Sequence, residues 1–235
     1  MEGHGSGSVG QFDTLAEEIL TSVRNCPDAG EIVLGGYFAL KQYADYRPTH
    51  DIDAWWRTGR TERALGCIRH AVRDAGERHG LEFADREWGE TASFELSNGR
   101  RKVFSFQIAL RSVELEPPRL SGWSPILIES LADNVGSKMN ALVQRGAARD
   151  FLDIRELVTR DVVSVQQCWD WWARKNPGVD VCQAKAHGLR HLEALELRRP
   201  LDGIADAKER IVAERTREWI RRHLLQLPSD ETDGM

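Results

Sequence analysis

The stretch "LGGYFALKQYADYRPTHDIDAWW", Leu34 to Trp56, sets a diglycine after an apolar run and closes on two aspartates separated by one isoleucine. Side chains alternate across a strand, so Asp51 and Asp53 leave one face while Ile52 points into the core. Two unit charges about 4 Å apart repel by roughly 4 kcal/mol at an effective dielectric near 20, an upper-end figure for an exposed pair, so such neighbours usually need a cation to stay ionised. Mg²⁺ or Mn²⁺ is the natural candidate, because a hard cation takes one or two carboxylates together with substrate phosphates. The plain alternative is two solvent-facing aspartates at a strand end.

The diglycine shifts that balance. A strand, a Gly-Gly turn and a helix start give backbone N–H groups room to approach phosphate oxygens near the positive end of a helix, which makes Gly35 and Gly36 candidates for cradling a triphosphate. Tight strand-to-helix packing would explain the same pair without a ligand. "GGYFALK" lacks the Gly-Lys-Ser/Thr ending of a P-loop. Arg47 and Thr49 stand just before the carboxylates and are placed to touch phosphate or base, although Thr49 equally suits capping the turn.

Working outward, "EIVLGG" predicts a buried strand, "YFALKQYADY" a helix that stops before Pro48, and "DIDAWW" a strand. The apolar residues Phe12, Leu15, Ile19 and Val23 recur at helical spacing before Pro27, and "TERALGCIRHAVRDAGERHG" is amphipathic with Gly80 as terminator. "TASFEL" and "KVFSFQIAL" flank "SNGR", a hairpin signal, so the first half alternates strand and helix and then finishes antiparallel. "LEPPRLSGWSP" marks a boundary near Pro117 to Pro125, and nearly everything beyond it carries helical periodicity. The expected division is a flexible tail over 1–10, an α+β core over 11–120 and a helical bundle over 121–235.

The chain has 235 residues, a net charge of −5 and a hydrophobic fraction of 41%, enough for a sizeable core and against coating nucleic acid through the overall field. A local basic surface remains compatible with one RNA. Cys26, Cys67, Cys168 and Cys182 are far apart with no CxxC spacing, which predicts neither a disulfide scaffold nor a zinc site and fits a reducing cytoplasm. No apolar run approaches the roughly 20 residues needed to span a bilayer.

In the second half, "KMNALVQRGAARDFLDIREL" gathers Lys138, Arg145, Arg149, Asp150 and Asp153. On a continuous helix Lys138 and Arg145 differ by only about 20°, so both cations leave one face. Asp150 stands near the start of the next helix, where it can cap free N–H groups, orient Lys138 or help deprotonate an acceptor hydroxyl. His187 and His191 lack the glutamate of HExxH and read as surface or packing residues. Trp169 and Trp172 sit at ordinary helix-packing spacing, with Trp171 beside them.

Two motifs resemble the AbiEii-type abortive-infection toxins, minimal nucleotidyltransferases of the DNA polymerase beta superfamily. The first runs through Gly35, Gly36, Leu40, Arg47, Thr49, Asp51, Ile52 and Asp53. The second is Lys138, Ala141, Leu142, Arg145, Gly146, Arg149, Asp150 and Asp153. The resemblance implies a polymerase-beta-like mixed sheet flanked by helices and followed by a helical bundle. It implies transfer of a nucleoside monophosphate from an NTP to an acceptor hydroxyl, such as a tRNA end, with Mg²⁺ or Mn²⁺ on Asp51 and Asp53. Lys138 and Asp150 would be catalytic, Gly35, Gly36, Arg47, Thr49 and Arg145 would hold nucleotide, and a cognate antitoxin would be a partner. Members usually bring a third acidic residue from a later strand, where "KVFSFQIAL" offers Gln107. That departure keeps an alternative open: a catalytically weak or inactive relative that binds nucleotide or a protein.

Overall fold

The computed structural model describes residues 6–111 and 113–227. The chain divides into two compact units, Met1–Asn134 and Val135–Met235. The described part of the first holds a mixed sheet of order β3-β4-β5-β2-β1-β7-β6. Here β1 is Ile32–Gly35, β2 Asp51–Trp56, β3 Glu82–Trp88, β4 Thr91–Asn98, β5 Arg101–Leu110, β6 Arg119–Leu120 and β7 Leu127–Ile128. β2 runs antiparallel to β1 and parallel to β5, and β7 joins β1 in parallel.

The alternation in "DIDAWW" decides which face is covered. Ile52, Ala54 and Trp56 are buried, as are Phe104, Phe106 and Ile108 beside them on β5. Helix α1, Ser6–Val23, and helix α3, Glu62–His79, bring Phe12, Leu15, Ile19, Leu65, Ile68 and Val72 into the same core. Burying each such side chain contributes about 1.5–3 kcal/mol. Thr61 caps α3 by accepting from the Ala64 N–H, and Gly80 ends it in the left-handed region at φ 63°.

Several expectations change. Of the tail assigned to 1–10, Ser6–Gly10 is instead the first stretch of α1, and residues 1–5 lie outside the described residues. Helix α2 is just Gly36–Leu40, because Tyr37 Oη accepts from the N–H groups of Tyr46 and Arg47 and wraps the following turn around its own ring. β3 carries no alternating apolar pattern and escaped notice, since it is a largely exposed edge strand. The hairpin turn centres on Gly99–Arg100, between the paired Asn98 and Arg101. Gly99 stands at φ 58°, at the position a type II′ turn reserves for glycine. The proline-rich stretch lies inside the first unit, because β7 beyond it hydrogen-bonds to β1.

Cys26 and Cys67 form a disulfide across 41 residues of sequence, with their Cα atoms 6.4 Å apart. The expectation of unpaired thiols fails there. The pairing follows from the packing of α1 and its succeeding turn on α3, which cysteine spacing does not encode.

Helix α4, Leu131–Gln144, begins in the last residues of the first unit. The second unit continues with α5 (Ala148–Thr159), α6 (Val165–Lys175), α7 (Val181–Arg198) and α8 (Ala207–Trp219). Trp169 and Trp172 are buried edge to face, and the Trp169 indole N–H donates to the Leu224 carbonyl at 3.0 Å. Gly146 turns the chain between α4 and α5 at φ 54°, and a Cβ there would lie 2.2 Å from the Cβ of His191. His191 is therefore a packing residue, and His187 is exposed. Among the described residues no helix is long and apolar enough to cross a membrane.

The two cysteines outside the disulfide should differ sharply in reactivity. Burial pushes the Cys168 thiol up to about 12, whereas Cys182 is exposed. Iodoacetamide at pH 8 should label Cys182 alone in the native protein and both after unfolding, read by peptide mass.

Candidate active site

β2 carries Asp51 and Asp53 on the face away from α1 and α3, and both are half-buried. The strand on either side places specific groups against them. Gly35 pairs with Asp53 from β1, while Ser105 and Gln107 of β5 pair with Asp51 and Asp53. Asp51 Oδ1 accepts from Ser105 Oγ at 2.8 Å and from Lys102 Nζ at 2.7 Å. The Lys102 side chain is 45% exposed, so this contact contributes at most about 1 kcal/mol and is readily exchanged.

The diglycine is required by space. Gly36 has φ 60°, and a Cβ on it would lie 2.1 Å from Asp53 Oδ2. A Cβ on Gly35 would meet Glu129 Oε2 at 2.5 Å and Trp55 Nε1 at 2.6 Å. Backbone therefore comes closer to a carboxylate than any side chain would allow. The turn is held from below: buried Asn134 donates from Nδ2 to the Gly36 carbonyl at 2.9 Å, and the Glu129 N–H donates to the Leu34 carbonyl at 2.8 Å. Arg111 pairs with buried Glu129 and reaches Asp133 at 3.4 Å. Asp133 in turn accepts from the backbone of Leu115 and Glu116 and from Ser130 Oγ.

Arg47 stacks on Tyr37, 3.8 Å from the ring centroid, and Nη1 donates to the Pro48 carbonyl. Burial raises the Tyr37 phenol above its ordinary value, despite the two N–H groups that it accepts. Thr49 Oγ1 accepts from the Asp51 N–H at 3.2 Å, so the threonine fixes the entry of β2.

In the second unit Lys138 is 8% exposed, with Nζ 2.8 Å from Oδ2 of the fully buried Asp153. Asp150, also fully buried, takes both arms of the Arg145 guanidinium, at 2.8 and 3.0 Å. The structure thus brings Asp153 rather than Asp150 to Lys138. Breaking the buried Lys138–Asp153 pair by removing one partner costs about 3–5 kcal/mol, because a buried charge is left uncompensated. Asp153 belongs to the second motif without an assigned role, and Lys102, Ser105 and Asn134 lie outside both motifs. Ser105 shares the two-residue alternation with Gln107 and was findable on that signal, whereas Lys102 lies beyond a register shift at Leu96/Ser97.

Among the described residues no cluster of three or more His, Cys, Asp or Glu is arranged to hold a metal ion. What stands there is a pair of carboxylates two residues apart on one strand face, backed by glycine backbone. Hard oxygen donors in that number suit Mg²⁺ or Mn²⁺ when phosphates complete the shell.

A mixed sheet that lifts a carboxylate pair beside a diglycine turn, followed by a helical unit, is the architecture of a nucleotidyltransferase fold. A crystal structure described as a "putative nucleotidyltransferase from H. pylori" superposes with a TM-score of 0.54 at 14% identity, over 92% of this chain and 96% of that one. No curated protein matches the chain. The family described as "Nucleotidyl transferase AbiEii toxin, Type IV TA system" matches residues 18–233, and the chain belongs to it. It is accordingly a nucleotidyltransferase of a toxin–antitoxin toxin family.

Gly36→Ala should displace Asp53 and strain the turn at about 1–3 kcal/mol. Gly59→Ala, with nothing within 4 Å of its Cβ, should leave stability within about 0.5 kcal/mol. Urea titrations of both variants check this.

Proposed function

We propose that the chain transfers a nucleoside monophosphate from an NTP to a hydroxyl at an RNA end, with a tRNA as acceptor, in a divalent-cation-dependent reaction restrained by a cognate antitoxin. The observation that supports this furthest is the approach of Gly36 backbone to Asp53, which places N–H donors and a carboxylate pair on one strand end. Asp51 and Asp53 would hold Mg²⁺ or Mn²⁺, which supplies positive charge to the phosphates as negative charge moves onto the leaving pyrophosphate. The amides of Gly35 and Gly36 are suited to the phosphate oxygens. Because α2 has only five residues, the amides themselves rather than a helix field carry that role. Lys102 competes for Asp51, so cation entry exchanges one positive partner for another.

Lys138 is oriented by Asp153 and is assigned the triphosphate. Arg145 is held by Asp150 and is assigned the same anion. Both oxygens of Asp150 are occupied by a guanidinium, which favours positioning over proton abstraction. Arg47 presents a guanidinium braced on Tyr37 for phosphate or base, and Thr49 acts through the position of Asp51. In the reaction the acceptor oxygen bonds to the α-phosphorus, the bond to pyrophosphate breaks and the hydroxyl proton leaves to solvent. Positioning and charge neutralisation carry most of such a step.

Gln107 favours a second reading, that of a weak or inactive relative that binds nucleotide. It stands opposite Asp53, where a third carboxylate would add charge.

Asp51→Asn and Asp53→Asn should each lower transfer from radiolabelled NTPs onto total RNA about a thousandfold, or roughly 4 kcal/mol, with unchanged circular dichroism. Near-normal transfer by both would remove the assignment. Lys138→Ala should impair NTP binding or transfer, whereas exposed Lys208→Ala should not.

Gln107→Glu separates the two readings. If Gln107 faces the cation, the variant should melt lower than wild type without Mg²⁺ and regain stability with it. Transfer by wild type onto any RNA would exclude the inactive relative.

A further inference from the structure

The second unit contains a cavity of about 230 Å³ that the nucleotidyltransferase reading does not use. Its walls come from α5, the end of α7, the turn around Ile204 and α8, with Phe151, Leu152, Leu195 and Val212 supplying apolar surface. The volume is half again the roughly 150 Å³ that accommodates a benzene and stays below the roughly 300–1,000 Å³ of drug-sized sites. It suits one fused aromatic ring or a short aliphatic body.

Arg217 borders this cavity and is 8% exposed. Its Nη2 donates to the Arg199 carbonyl at 2.6 Å, and it forms no ion pair with a described residue. Arg217 also borders a wider cleft, where Glu196 and Glu218 are already taken by Arg221 and Arg222 and exposed Asp202 makes no ion pair with it. Exposed Glu214, one turn back on α8, makes no ion pair with it. A guanidinium buried to this extent is costly unless an anion meets it. Arg199 also lines the cavity and engages the one lining carboxylate, Glu209, at 2.7 Å. Within this lining Arg217 borders the apolar chamber with a backbone carbonyl, not a carboxylate, as its partner among the described residues.

We infer that the chamber between α5, α7 and α8 is a binding site for a small organic carboxylate, its apolar body among Phe151, Leu152, Leu195 and Val212 and its carboxylate on Arg217. A carboxylate matches the fork geometry of one guanidinium. The ligand would bridge α5 to α8. α5 is the helix that carries Asp150 and Asp153, so occupancy would be felt where Arg145 and Lys138 are held. The binding claim itself stands apart from nucleotidyl transfer.

The test uses the full chain with naphthalene-2-carboxylate and its neutral counterpart naphthalene-2-methanol, by isothermal titration calorimetry and thermal melts. The carboxylate should bind at least tenfold more tightly than the alcohol and should raise the melting temperature. Arg217→Met keeps the stem and removes the charge, and should bring the two ligands within about twofold. Leu152→Trp fills the chamber and should abolish binding of both. Equal binding of the two probes to wild type, binding of neither, or a preference for the carboxylate that survives Arg217→Met each overturns the inference. The wild-type comparison of the two probes decides the matter even where a variant folds poorly.

Discussion

The contact between the Gly36 backbone and the Asp53 carboxylate governs the first unit's site. β1 and β2 pair antiparallel with Gly35 opposite Asp53, so the strand that ends in the diglycine also supplies the wall against which the aspartate rests. Any side chain at position 36 would occupy the space of the carboxylate. The polar residues beneath, Asn134 and the Arg111–Glu129–Asp133 set, make sense as the means of fixing that turn. These buried polar groups bond to one another and to backbone through most of their atoms, while Arg111 Nε and Asn134 Oδ1 find no hydrogen-bond partner among the described residues. A turn at positive φ next to a carboxylate persists when its surroundings over-determine it, and here the start of α4 does so.

Much of the fold was readable from local pattern. The alternation of "DIDAWW" fixed which residues of β2 face the core, and Gly80 and Thr61 marked the ends of α3 through capping chemistry. What escaped reading depended on tertiary partners. β3 has a charged, exposed surface with no apolar period, and β7 is two residues long and becomes a strand only by pairing with β1 and β6. The disulfide and the length of α2 likewise follow from what packs nearby. At the site, Asp51, Asp53 and the glycines were legible because their chemistry needs particular residue types at close spacing. The partners of Lys138 and Asp150 were not, because helix spacing offers either aspartate and only the turn at Gly146 decides between them.

The two units handle charge differently. Around Asp51 the positive partner is a half-exposed lysine, held weakly and open to replacement. Around Lys138 and Asp150 the carboxylates are fully buried and each holds a cation at close range, which fixes side chains rather than leaving them exchangeable. A surface meant to receive a cation and a polyanion benefits from the first arrangement, and a cation meant to stay in one place from the second. The cavity beside Arg217 follows neither pattern, since a buried positive charge there has no described acidic counterpart.

β3 forms one border of the sheet, and its outer row of backbone donors and acceptors has no neighbouring strand among the described residues. Seven residues of such a border could zip onto a second chain during synthesis, when crowded nascent molecules meet. The strand is guarded by its composition: Glu82, Asp85, Arg86 and Glu87 lie along it, and Arg60 and Arg69 tie Asp85 and Glu87 back to the body of the protein. Docking an identical border would bring like charges together and strip their water. The exposed Trp88 at its end is the weak point of this defence. Charge on that strand is thus a solubility device, and neutralising it would show first as inclusion bodies rather than as a change in chemistry.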